Sequence, residues 1–316
     1  MERTKIDIRT LIAKKRRGDK IVMLTAYDHP SAKLLDEEGV DIILVGDSLA
    51  NVVLGYPDTR PVTMDEMLHH TRAVARAVRY AFVLGDMPFM SYNVTEAEAI
   101  RNAGRFIKEA GADAVKMEGG GWVVDRIQAV VAAGIPVCGH LGLTPQTASL
   151  LGGHRVQGKQ AAKARRLLDD ALRMEDAGAS MLVLELVPDR VAALITERVS
   201  IPVIGIGAGP DCDGQVLVYH DMLGINADFQ PRFLKKYANL DKVIREAVQS
   251  YRADVLEGTF PSAEQSFSMS DQEFDKLASM LDSGPERQGR LPAGTEGGSG
   301  DSFDEPQDPP YGSATR

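Results

Sequence analysis

The feature that most constrains the fold of this chain is a series of eight short apolar runs between Ile21 and Asp221. Each run is continuously apolar rather than alternating, which is typical of parallel strands covered on both faces. Amphipathic stretches separate most of the runs. Two of them, EAEAIRNAGRFIKEAG and KQAAKARRLLDDALRMEDAG, end in the glycine that favours a helix C-terminus. The runs begin at Ile21, Asp41, Ala81, Asp113, Ile135, Ser180, Ile201 and Gln215.

Eight strands with intervening helices predict a single (β/α)8 barrel, the TIM-barrel architecture, which often uses about 250 residues. A doubly wound sheet is the alternative. It would usually show fewer strands and a phosphate-binding loop after the first one, and TAYDHP, which ends the first run, is not such a loop. We assign residues 1–282 to the barrel domain with extra terminal helices. Residues 283–316 are rich in Gly, Pro, Ser and acidic residues, which predicts a disordered tail.

Charge and cysteine content narrow the class of protein. The formal net charge of −9 argues against nucleic acid as a partner, because binding phosphate requires a basic face. Cys138 and Cys212 are the only cysteines, so there is no disulfide framework. The N-terminus lacks the apolar core of a secretory signal, and no run approaches the roughly 18 apolar residues of a membrane span. We therefore expect a cytoplasmic protein with no membrane partner.

Charged and polar side chains stand at the strand ends where parallel barrels carry their active sites. They are Asp47 and Ser48 in the second run, Asp86 in the third, Lys116 and Glu118 in the fourth, and Glu185 in the sixth. Asp47, Asp86, Lys116 and Glu118 also have a structural interpretation when each is taken on its own. An Asp after an apolar run often caps a helix or forms a turn, and Lys116 and Glu118 share one strand face, where an ion pair is able to form.

Together, four carboxylates on one rim predict a cation among them, because like charges crowded together repel. Oxygen ligands favour a hard ion such as Mg²⁺. Glu185 stands between apolar residues in MLVLELVP, where Glu is a poor strand residue, so we expect a buried carboxylate that is paired, metal-bound or protonated. His69 and His70 are adjacent and lack zinc-ligand spacing, and we interpret them as surface or packing residues.

Several motifs resemble those of a known family in order and spacing. They are VGDS at 45–48, LGY and PVT within 54–63, GDMPF at 85–89, VKMEGG at 115–120, GHLGLTPQ at 139–146, GGHRVQGK at 152–159, LVLELVP at 182–188 and IGIGAGPDCDGQVLVYHDMLG at 204–224. With them, the chain from about Lys5 to Phe267 resembles the ketopantoate hydroxymethyltransferases, also called 3-methyl-2-oxobutanoate hydroxymethyltransferases. The tail from Ser283 has no counterpart in the family pattern.

The resemblance implies a homodecamer of (β/α)8 barrels acting in pantothenate and coenzyme A synthesis. The reaction transfers a hydroxymethyl group from 5,10-methylenetetrahydrofolate to 3-methyl-2-oxobutanoate, giving 2-dehydropantoate (ketopantoate). Carried over residue by residue, the resemblance implies that Mg²⁺ is bound by Asp47, Asp86 and Glu118. Substrate binding then falls to Asp47, Ser48, Asp86 and Lys116, and Glu185 is the catalytic base.

Two other functions are compatible with such a barrel. The first is a Mg²⁺-dependent C–C lyase or mutase of the phosphoenolpyruvate mutase/isocitrate lyase type. Such enzymes usually carry a catalytic cysteine in a flexible loop, and neither Cys138 nor Cys212 has that setting. The second is a non-catalytic assembly scaffold, which would leave the rim carboxylates without an explanation.

Overall fold

The computed structural model describes residues 3–227 and 229–282. Its strands are β1 (Ile21–Thr25), β2 (Ile42–Val45), β3 (Phe82–Asp86), β4 (Ala114–Glu118), β5 (Val137–Gly142), β6 (Met181–Glu185), β7 (Val203–Ile206) and β8 (Gly214–Leu217). All are parallel and pair in chain order, and β8 pairs back to β1. The closed sheet confirms the barrel and excludes the doubly wound alternative.

Helices follow most of the strands. The α-helices are α1 (Ile8–Arg17), α2 (His29–Glu37), α3 (Leu49–Val52), α4 (Met64–Ala77), α5 (Glu96–Lys108), α6 (Val123–Ala132), α7 (Ala161–Asp176), α8 (Asp189–Arg198), α9 (Tyr219–Met222), α10 (Leu240–Glu257) and α11 (Asp271–Asp282). Two 3₁₀ segments span Pro145–Leu151 and Ala263–Gln265. The link between β7 and β8, residues 207–213, has no helix, so the strand–helix alternation is incomplete at that point.

The chain divides into two compact units, Met1–Ser250 and Tyr251–Arg316. The first contains the whole barrel. The described part of the second contains the end of α10, the 3₁₀ segment Ala263–Gln265 and α11. The division at residues 282 and 283 stays a prediction, and the expected disordered tail, 283–316, lies outside the described residues.

Every second strand residue points into the barrel and contributes to an interior apolar cluster. Its strand members are Ile21, Met23, Ile42, Leu44, Phe82, Leu84, Ala114, Cys138, Met181, Val183, Ile204 and Val216. Because residues two apart share a strand face, the next positions toward the carboxyl ends also face inward. Those positions are Asp86, Lys116, Glu118, His140 and Glu185. The alternation that packs the core therefore also places these charged groups at the carboxyl ends of the strands, which we call the barrel mouth.

Helix α1 covers the opposite end of the barrel. Its Leu11 is fully buried and belongs to the interior cluster. Lys14 Nζ lies 2.6 Å from Asp41 Oδ1 just before β2, and Lys15 Nζ lies 2.7 Å from Asp213 Oδ2 just before β8. These contacts hold α1 across the amino ends of the strands. No helix within residues 3–227 and 229–282 has the length and apolar character needed to cross a membrane.

Candidate active site

The centre of the barrel mouth is an ion pair between neighbouring strands. Asp86 and Lys116 are register partners on β3 and β4, and Lys116 Nζ lies 2.8 Å from Asp86 Oδ2. Burial raises the pKa of Asp86 to about 7, against the opposing effect of Lys116. Burial lowers the pKa of Lys116, but Asp86, Asp47 and Glu118 outweigh it and raise that pKa, so the ammonium stays charged. Lys116 thus pairs with Asp86, and the ion pair with Glu118 that the strand pattern allows does not form.

Asp47 lies two residues beyond the end of β2. Its backbone N–H donates to Asp86 Oδ2 at 3.1 Å, which brings two carboxylate residues from different strands together. Helix α3 starts after Ser48 without a side-chain cap, so Asp47 does not serve as a helix cap. Its carboxylate is buried within the mouth instead.

Gln146 connects the carboxylates, and sequence reasoning assigned it no role. Its side-chain nitrogen donates to Asp47 Oδ2 at 2.9 Å and to the Met87 carbonyl at 3.0 Å. Its backbone N–H donates to Glu118 Oε1 at 2.8 Å, and its side-chain oxygen accepts from Tyr92 at 2.9 Å. Gln146 ends the GHLGLTPQ motif, so its place in that motif was the available signal. A glutamine at this position does not by itself indicate a functional role.

His140 lies between two glutamates. Its Nδ1 is 3.5 Å from Glu118 Oε2, and its Nε2 is 3.3 Å from Glu185 Oε2. Burial and Lys116 lower the pKa of His140, but Glu118 and Glu185 outweigh them and raise it to about 9. The ring therefore carries a positive charge at neutral pH. Sequence reasoning left His140 without a role, and its position on β5 beside Glu118 supplies one.

Glu185 closes the inward-facing series on β6, but it is less buried than expected. Its side chain keeps 18% of its surface exposed, whereas the Glu118 side chain keeps 1%. The expectation of a buried Glu185 was therefore wrong, since the residue is only half-buried. The strand ends there, and the next residue, Leu186, has the positive φ of 47° that turns the chain away. Glu185 consequently remains open to the cavity.

Ser48 completes the set of predicted residues. It is half-buried, lines the same cavity, and its Oγ lies 2.8 Å from the Tyr27 hydroxyl. The Tyr27 carbonyl lies 2.6 Å from His70 Nδ1. His70 is half-buried and His69 is exposed, which agrees with their interpretation as packing and surface residues.

The oxygen donors of the mouth suit a hard cation, although they are not arranged as a preformed site. Within the described ranges, no three His, Cys, Asp or Glu residues meet in a metal-holding group. Asp86 is turned onto Lys116, and Asp47 onto Gln146. Yet Asp86 Oδ1 and Glu118 Oε2 are buried without a hydrogen-bond partner. Buried carboxylate oxygens need such a partner or a metal, so the donor chemistry fits Mg²⁺.

All six predicted residues line one cavity of about 470 Å³. The structure therefore brings together Asp47, Ser48, Asp86, Lys116, Glu118 and Glu185. A cavity of this size matches ligands of ordinary cofactor or drug size. It has room for more than a small oxo acid.

Comparison with known proteins agrees with this geometry. A family model described as ketopantoate hydroxymethyltransferase matches residues 5–263. The chain belongs to the ketopantoate hydroxymethyltransferase family. Two relatives, both named 3-methyl-2-oxobutanoate hydroxymethyltransferase, share about half of their residues with this chain. That of Syntrophomonas wolfei is 52% identical over 273 residues, covering 86% of this chain and 99% of the relative. That of Moorella thermoacetica is 55% identical over 266 residues, covering 84% and 99%.

Solved structures share the barrel at much lower identity. Phosphonopyruvate hydrolase has a TM-score of 0.53 and 16% identity, covering 88% of this chain and 96% of the hydrolase. 2,3-Dimethylmalate lyase, a member of the PEP mutase/isocitrate lyase superfamily, has a TM-score of 0.54 and 15% identity, covering 87% and 95%. At these identities the likeness concerns the fold alone. Cys138 and Cys212 are both buried, unlike a cysteine in an open loop, so the main interpretation within the ketopantoate hydroxymethyltransferase family is the better supported one.

Proposed function

We propose that this chain transfers a hydroxymethyl group from 5,10-methylenetetrahydrofolate to C3 of 3-methyl-2-oxobutanoate, giving 2-dehydropantoate for pantothenate and coenzyme A synthesis. Family membership supports the reaction. The observation that carries the proposal for the site is the barrel mouth itself. There, three buried carboxylates surround one lysine, and a fourth carboxylate, that of Glu185, stays partly exposed.

Lys116 and Ser48 hold the oxo acid in this proposal. Lys116 is a buried, permanently charged ammonium, so it attracts the substrate carboxylate and the negative charge that develops on the oxo oxygen. The Ser48 hydroxyl is half-buried in the same cavity and able to donate a hydrogen bond. Together they fix the substrate so that C3 lies beside a base rather than in bulk water.

Asp47, Asp86 and Glu118 would hold Mg²⁺. When bound, the ion supplies a Lewis acid that polarises the 2-oxo group and makes the neighbouring carbon more acidic. Gln146 helps to place these ligands, since it donates to Asp47 through its side chain and to Glu118 through its backbone. Removing that amide leaves two carboxylates with fewer partners.

Glu185 is the base that accepts the C3 proton. Its side chain keeps 18% of its surface exposed, against 2% for Asp86 and 1% for Glu118, while Asp86 and Asp47 are engaged by Lys116 and Gln146. The charged His140 ring, 3.3 Å from Glu185 Oε2, favours the ionised carboxylate and orients it. His140 acts through Glu185 and is therefore a positioning residue.

We also propose that the enzyme works in the cytoplasm as a homodecamer, without nucleic-acid or membrane partners. Family membership supports the assembly, and the net charge of −9 supports the absence of nucleic acid. Sedimentation of the purified chain measures the assembly directly.

The deciding experiment measures 2-dehydropantoate formed from 3-methyl-2-oxobutanoate and 5,10-methylenetetrahydrofolate, with Mg²⁺ and with excess chelator. Product that depends on both the folate and Mg²⁺ supports the proposal. Turnover of a 2-oxo acid that proceeds without any folate would replace it with the lyase or mutase alternative.

A further inference from the structure

The chain that follows β8 forms a wall of the cavity that the proposed mechanism does not use. Helix α9 begins at Tyr219, whose backbone N–H donates to Thr25 Oγ1 at the end of β1, 2.9 Å away. The ring of His220 lies 5.5 Å from the ring of Tyr27. These two contacts hold α9 on the mouth side of the barrel. The next residue, Asp221, lines the cavity.

Asp221 has a buried carboxylate oxygen that accepts no hydrogen bond from residues 3–227 and 229–282. It is 6% exposed, and its Oδ1 has no hydrogen-bond partner within the described part of the chain. Lys236 is near enough to act on its charge, but the Lys236 ammonium donates to the Ala227 carbonyl at 3.0 Å. Burial raises the pKa of Asp221 to about 6, against the opposing effect of Lys236. A native carboxylate in this condition needs a partner from outside the chain.

Aromatic and apolar side chains line the same cavity as this carboxylate. Phe229, Phe233 and Leu234 follow α9 and line the cavity with it. Ile206 at the end of β7 lines it too, and Ile206 is the register partner of Glu185. The wall with Asp221 is therefore continuous, through neighbouring strands, with the proposed base. The oxo acid occupies only part of a cavity of about 470 Å³, which leaves room for a second, larger ligand.

We propose that Asp221 binds the 2-amino-pyrimidinone edge of the folate cosubstrate, accepting hydrogen bonds from its ring N–H and its amino group, with Phe229 and Phe233 against the ring. This inference rests on the proposed function. The two N–H groups of that edge lie side by side in one plane, as in a guanidinium, and a carboxylate accepts such a pair with both oxygens. The flat ring suits aromatic neighbours. The ligand thus donates the hydrogen bonds that Asp221 does not receive from the described residues.

The test compares tetrahydrofolate with its 2-desamino-2-methyl analogue in equilibrium titrations of the full chain with Mg²⁺ present. We expect the wild type to prefer tetrahydrofolate by roughly 10- to 100-fold, the usual effect of losing a hydrogen bond to a charged group. Asp221→Asn presents one acceptor and one donor, so it loses most of this preference. Asp19→Asn, which removes a surface carboxylate paired with Arg17, keeps it.

A second readout separates binding of the folate from a general structural effect. Deuterium exchange at C3 of 3-methyl-2-oxobutanoate requires no folate, so Asp221→Asn keeps the wild-type exchange rate. Equal wild-type affinity for the two folates, a preference that survives in Asp221→Asn, or loss of exchange in that variant each overturns the inference. A wild type that makes no 2-dehydropantoate from the methylene folate refutes the proposed function instead.

Discussion

Glu185 differs from the other carboxylates of the mouth because 18% of its side-chain surface stays open, while the charged His140 ring lies 3.3 Å from its Oε2. That combination suits a general base that removes a proton from carbon, because a C–H group is too weak a hydrogen-bond donor to attract the carboxylate. Asp47 and Asp86, by contrast, are engaged by Gln146 and Lys116. At the scale of single residues, the carboxylates held in fixed positions for Mg²⁺ binding are therefore distinct from the one carboxylate that accepts the proton.

For Glu185→Gln we expect intact binding of Mg²⁺ and of 3-methyl-2-oxobutanoate, since neither depends on that carboxylate. Deuterium exchange at C3 falls by about 10²- to 10⁴-fold, the usual contribution of a general base. Mass spectrometry of the oxo acid in D₂O measures the rate. Glu109→Gln, which breaks a surface pair with Arg105, is the matched control. Exchange at the wild-type rate in Glu185→Gln would remove Glu185 from the role.

Asp221 carries a stability cost that depends on pH. Its pKa is about 6 in the folded chain, above the ordinary value of 3.8, because burial disfavours the charged form. Below 3.8 both states are protonated and the cost is absent. It develops as the pH rises from 3.8 through about 6, where the folded state binds the extra proton, and it is complete above.

We therefore expect Asp221→Asn to raise the melting temperature of the ligand-free protein at pH 8, with a smaller effect near pH 4.5. Thermal unfolding monitored by circular dichroism at the two pH values measures this difference. An equal shift at both pH values would contradict the assigned cause, because an uncharged Asp and an Asn should then differ from one another by packing alone.

At the scale of elements, the runs of apolar residues predicted the barrel because each run is long enough for one buried strand. They could not show which residues face inward, since both faces of these strands are apolar. The inward positions become visible only with the register, which pairs Asp86 with Lys116 and Glu118 with His140. Gln146 lies in a 3₁₀ segment, and its contacts depend on long-range closure. Spacing along the chain cannot predict it.

Close packing between β3 and α5 supports the position of Asp86. A Cβ atom on Gly85 would lie 2.5 Å from Phe106 Cδ1, and Phe106 is fully buried and cannot move aside freely. We expect Gly85→Ala to lower the free energy of unfolding by about 1–3 kcal/mol, as overpacking does. Urea unfolding measures it.

Gly104 within α5 offers the matched control for that substitution. Apart from the backbone of α5 itself and the two chain neighbours, no heavy atom of the described residues lies within 4 Å of a Cβ added there. Because alanine favours a helix more than glycine does, Gly104→Ala should raise the free energy of unfolding by about 0.5–1 kcal/mol. A loss of stability at Gly104 equal to that at Gly85 would mean that the clash with Phe106 is not the cause.

At the scale of the whole molecule, binding of Mg²⁺ should stabilise the folded state, because the unfolded chain cannot assemble Asp47, Asp86 and Glu118. At free Mg²⁺ one hundred times its Kd, the gain is about 2.7 kcal/mol. Melting curves with and without Mg²⁺ measure it. Asp86→Asn reduces the gain, and Asp19→Asn keeps it. An unchanged gain in both Asp86→Asn and Asp47→Asn would place the ion elsewhere.

Closure of the barrel has a consequence for synthesis on the ribosome. The ion pair between Lys15 and Asp213 joins residues 198 positions apart. Strand β1 pairs with β2 on one side and with β8, the last strand, on the other. Until that last strand emerges, the nascent chain exposes an unsatisfied strand edge and the apolar side of α1, both of which attract other chains. Helix α1 is made before the strands and is thus among the last pieces to dock, and the interval in between is when the growing polypeptide most needs a chaperone.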